Sequence, residues 1–182
     1  MNAETVSYAR LMDHMADMEI IDSHEHLPPE KERLAQNPDF SMFFSLYCQS
    51  DLLAAGLSQA EAATVFGNHP IGEKWRIFEP YYRLIQDGSY CRAAHLAMHK
   101  FYGIALLESE ADAQALTDAI RKANQPGLYR RVLKDTCRIR KSMNFVGLGD
   151  DPEYFACVPH CTYYAEATKP TIQTLEDQLG TT

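Results

Sequence analysis

Three residues near the N-terminus have the types and spacing to do chemistry together: Asp22, His24 and His26, in the run MEIIDSHEHLPPE at residues 18–30. A neutral imidazole is the commonest metal ligand, and a nearby carboxylate can fix its orientation and raise its basicity. In an extended segment, positions i, i+2 and i+4 share one face. The three side chains are therefore expected to project together, with Ser23 and Glu25 turned away. Ile20 and Ile21 lead into the motif, and Pro28 and Pro29 lead out of it. This predicts a short strand with the histidines at its C-terminal end, the place where open α/β sheets and barrels build active sites.

Other constellations are weaker. His95 and His99 stand four apart on a predicted helix, as in zinc helices, but Leu96 takes the position where an HExxH motif has its glutamate base. That pair reads as histidines satisfied beside a core face. CVPHC offers Cys157, His160 and Cys161, but no second Cys/His pair lies near in sequence to complete a structural zinc site. His160 and Cys161 could instead line the mouth of a third strand. The chain has no P-loop, glycine-rich phosphate loop or G-x-S-x-G elbow, which removes nucleotide-dependent and serine-hydrolase readings.

The elements that must position the motif follow from periodicity. Residues 3–18 carry Val6, Leu11, Met12, Met15 and Met18 at helix-compatible spacing. From Pro28 to about Gly127 nearly every pattern is helical. Gly56 is placed as a C-cap, Ser58 with Glu61 as a capping box, and a helix over 73–86 contains Pro80. Further helices are predicted over 89–102, 116–123 and 128–139. The period then shortens at SMNFVGL and EYFACVPH, which read as a second and a third strand, and TKPTIQTLEDQLGTT begins another helix. The order of strand, helical block, strand and strand suggests an α/β arrangement.

With 46% hydrophobic residues, the 182-residue chain can bury a sizeable core. No apolar window is long enough for a membrane span, and the N-terminus lacks the basic and apolar regions of a secretory signal. Five cysteines, an odd number, are then expected as free thiols in a cytoplasmic protein. The net charge of −8 argues against nucleic acid as a partner. One segment dissents: on a helix, Arg130, Lys134, Arg138 and Lys141 would form a basic stripe. It reads first as a solvated face and second as an anion patch.

IIDSHEH resembles the first-strand motif of the amidohydrolase superfamily, metal-dependent enzymes on a (β/α)8 barrel in which the two histidines bind the metal. LPPE, the helical stretch after it and GNHPIGEKWRIFEPYYRLIQDGSYCRAAHLAMHKFYGI are similar to the uronate isomerase branch, which has a helical excursion after strand one. The resemblance spans roughly residues 18–104. It implies an α/β fold, the N-terminal part of a (β/α)8 TIM barrel with a large helical insertion after strand 1. Leading helix and strand 1 would occupy 1–27, the insertion 28–126, and a helix with strands 2 and 3 residues 127–182. It further implies His24 and His26 as metal ligands, a divalent cation, zinc by preference, as cofactor, and Tyr47 as counterpart of a substrate-contacting tyrosine.

Superfamily members draw further ligands from strands five, six and eight, which this chain does not reach, and such barrels need about 250 residues. The resemblance therefore implies a fragment or truncated form of a metal-dependent hydrolase acting on a small-molecule substrate. The alternatives are a uronate isomerase-like aldose–ketose isomerase and a catalytically inactive helical interaction module. A homo-oligomer would cover the strand edges that an unfinished barrel leaves open.

Overall fold

The computed structural model describes residues 3–145 and 151–157, with isolated positions at 173, 176, 177 and 180. The expected tail helix, His160 and Cys161 lie outside them. The chain forms two compact units, one of residues 1–35 with 126–182 and the other of 36–125.

The first unit contains α1 (Ala3–Asp17), β1 (Ile20–Glu25), α2 (Glu30–Ala35), a π-helical segment (Arg130–Thr136), β2 (Ile139–Asn144) and β3 (Phe155–Cys157). Its strands make one parallel sheet in the order β1-β2-β3. Tyr129, Leu133 and Phe155 form its buried core, with Leu27, Val132 and Ile139 packed against them. The expected helix over 128–139 is shorter than its pattern. Arg138 takes a left-handed conformation (φ 54°), and β2 begins at the next residue. The predicted basic stripe is thereby broken, with Arg130 and Lys134 on the π-helical segment, Arg138 at the bend and Lys141 on a strand.

The second unit is helical: α3 (Tyr47–Ala54), α4 (Gln59–Val65), α5 (Ile71–Ile85), α6 (Ser89–Tyr102) and α7 (Glu110–Ala123), preceded by a 3-10 turn at Phe40–Phe44. The Ser58–Glu61 capping box forms as expected. A second one, Ser109–Asp112, starts α7 six residues earlier than periodicity suggests, because the cap rather than the first apolar residue sets the boundary. Gly56 (φ 111°) closes α3, where a side chain would be strained. Phe40, Phe44, Phe78 and Tyr82 are fully buried, and their rings meet edge-on, tilted or stacked at centroid distances of 4.9–5.4 Å.

The expectation of an α/β fold forming part of a (β/α)8 TIM barrel is overturned. Helix predominates, and among the described residues the only sheet has three short strands with β1 at its edge. A barrel closes eight strands so that none has a free edge. The residues assigned to an insertion instead build a hydrophobic core of their own. No helix among the described residues is long and apolar enough to cross a membrane.

Candidate metal centre

β1 does not run straight through its motif. Asp22 pairs with Ser142 and Glu25 with Asn144, so β1 spends three steps where β2 spends two. The extra residue is a bulge, a device that re-aims side chains. It overturns the alternation expected of Asp22, His24 and His26. Asp22 and Glu25 become the half-buried pair, whereas His24 and His26 are exposed. Glu25 therefore does not turn away from Asp22. Burial pushes its carboxyl above the usual glutamate range, and the neighbouring Asp22 carboxylate pushes it further.

The two imidazoles converge, with Nε2 of His24 2.8 Å from Nε2 of His26 and the rings edge-on at 4.7 Å. Phe145, directly after β2, lays its ring 4.5 Å from that of His24 and 6.2 Å from that of His26. It is held there by its amide, which donates to the Glu25 carbonyl at 2.9 Å. Asp22 plays a different part from the one expected. Its Oδ1 accepts the His24 backbone N–H at 3.2 Å, so it shapes the strand rather than orienting a ring.

The loop after the motif is anchored. The buried Asn144 donates from Nδ2 to the Leu27 carbonyl at 2.7 Å, and the Tyr129 hydroxyl donates to Pro28 at 2.5 Å. The Glu30 carboxylate accepts the Gly127 and Tyr129 amides at 3.1 and 2.7 Å. Burial holds the Tyr129 phenol up at about 12, so it remains a donor throughout the physiological range. Phe145 and Asn144 escaped the sequence reading because they follow the histidines by more than a hundred positions. The apolar run SMNFVGL was their only local signal.

The pair chemically fits a cation. Two imidazole nitrogens face each other, and the buried Oδ2 of Asp22 has no hydrogen-bond partner among the described residues. A proton on Glu25 gives that carboxylate pair a donor. Among the described residues no group of three or more His, Cys, Asp or Glu side chains converges on one point, so the structure brings the two histidines together with no third such side chain beside them.

Of the remaining candidates, Cys157 ends β3, His160 and Cys161 lie outside the described residues, and the others fall in the helical unit. Tyr47 begins α3; its ring is 66% exposed and stacks on Tyr90 at 5.1 Å. His95 is occupied structurally, since its Nε2 shares a hydrogen bond with the Tyr82 hydroxyl at 2.7 Å. The chain matches no family model, no curated protein and no solved structure.

Proposed function

We propose that the protein is a metal-dependent hydrolase in which His24 and His26 are two ligands of a catalytic divalent cation, zinc by preference. The observation that carries this reading is the 2.8 Å approach of the two Nε2 atoms at the C-terminal end of a strand in a parallel sheet. His24 and His26 would hold the cation, and the chemistry it would supply when bound is a water of near-neutral pKa and polarisation of a scissile ester or amide carbonyl. The chain's own residues prepare the ground. Phe145 limits the freedom of both rings, Asn144 and Tyr129 hold the loop beyond them, and Glu25 can retain a proton at a pH where an ordinary glutamate has lost it. Two imidazoles fill half of a tetrahedral shell. Water and substrate would complete it.

The amidohydrolase resemblance of IIDSHEH supports the same assignment through its histidines, independently of the barrel. The proposed compartment is the cytoplasm, consistent with Cys48, Cys91 and Cys137 as free thiols.

Hydrolysis of a panel of esters, lactones and amides before and after chelation tests the proposal. The expected result is chelator-sensitive turnover that zinc restores and that His24→Ala with His26→Ala abolishes. Turnover indifferent to both treatments would reject it. Conversion of glucuronate to a ketose acid, without hydrolysis, would replace hydrolysis by isomerisation.

A further inference from the structure

The helical unit contains a cleft of about 540 Å³, within the size range of small-molecule sites, that has no part in the metal chemistry. One wall is formed by residues between Gln36 and Ser45, the other by Phe66, Gly67 and Asn68. Lys74 ties the two together from below. It is 1% exposed, and its ammonium donates to the Asp39 carboxylate, to Ser41 Oγ at 3.2 Å and to the Gly67 carbonyl at 3.0 Å. Asp39 in turn accepts the Ser41 amide at 2.9 Å and the Ser41 hydroxyl at 2.7 Å. The walls are thus fixed relative to each other before any ligand arrives, which lowers the ordering cost of binding.

The chemistry of the lining is selective. Among the described residues that line the cleft, Asp39 alone is ionisable, and Lys74 neutralises it. An anion finds no unpaired cation there, and a metal ion finds one carboxylate already engaged. The side-chain amides of Gln36, Asn37 and Asn68 have no hydrogen-bond partner among the described residues, and each offers two donors and an acceptor. Ser45 Oγ donates to the Met42 carbonyl at 2.9 Å and keeps its lone pairs for an incoming donor. Phe66, half-buried, adds an aromatic face that attracts weakly positive C–H groups.

Neutral groups that both donate and accept, set beside C–H surface, describe a polyol. We infer that this cleft binds a small neutral sugar, with the amides of Asn37 and Asn68 on its hydroxyls and Phe66 against its ring.

The test is a titration of the 15N-labelled full chain with glucose, galactose, mannose, maltose and glucuronate, read on the side-chain amide resonances. Saturable shifts of the Asn37 and Asn68 amides are expected with at least one neutral sugar at millimolar concentration, with weaker binding of glucuronate. Asn37→Ala with Asn68→Ala should weaken binding by about tenfold with the melting midpoint unchanged. If that variant melts early, Met42→Arg, which projects a charged chain from the lining, should abolish the shifts. His24→Ala should leave them intact, which separates this site from the proposed metal centre. No saturation by any neutral sugar, tighter binding of glucuronate, or binding unchanged in the variants would overturn the inference.

Discussion

Nε2 of His24 stands 2.8 Å from Nε2 of His26, closer than two nitrogens of one tetrahedral zinc, which lie about 3.3 Å apart. A slight opening of the rings would let both nitrogens reach one zinc ion. Zinc should therefore raise the melting midpoint of the chain by mass action, with a gain of about 2.7 kcal/mol when free zinc is about 100 times its dissociation constant. Calorimetric melting with and without zinc checks this. His24→Ala and His26→Ala should each erase most of the gain, and an equal gain in both variants would assign the zinc to another site.

Lys74 and Asp39 form a buried ion pair in the helical unit. Lys74→Met leaves Asp39 uncompensated and should cost about 3–5 kcal/mol in urea denaturation. Adding Asp39→Asn, which keeps an acceptor for the Ser41 amide, should recover part of that loss. A double variant no more stable than the single one would contradict a charge-based origin.

His95 titrates below its ordinary value of 6.5 because burial disfavours its charged form. The unfolded chain then takes up the proton first as the medium acidifies. Its contribution to stability is fully present above pH 6.5 and is lost as pH falls through the lowered folded value. The urea midpoint should drop on that descent, and His95→Gln, measured the same way, should flatten the slope. An unchanged slope would place the pH dependence elsewhere.

Cys48 and Cys91 lie with sulfurs 3.9 Å apart in the core, and burial drives the Cys91 thiol up to about 12. Thiolate is the reactive form. Alkylation at neutral pH, followed by peptide mass mapping, should leave both unlabelled in the folded chain and label both in urea. Rapid labelling of either thiol under native conditions would show that the core opens.

Much of the helical unit could be read in advance because its signals are local. The Ser58–Glu61 box and Gly56 each act within a turn or two. The start of α7 was also local, set by the Ser109–Asp112 box, whereas the boundary at residue 138 depends on a distant partner. Arg138 leaves the helical pattern where β2 must begin beside β1, and Ile139 takes its place in the sheet opposite Ile20. No window around residue 138 contains Ile20.

The sequence by itself determined the histidine pair, the strand that carries it and the helical character of the central block, because residue type and period decide those within one segment. Tertiary structure decided which side chains share a face. One extra residue in β1, measurable only against the register of β2, set Asp22 beside Glu25 and brought Phe145 onto the imidazoles. It also decided that the central helices build a core of their own, since burial depends on how rings from separate helices pack rather than on the pattern of any one.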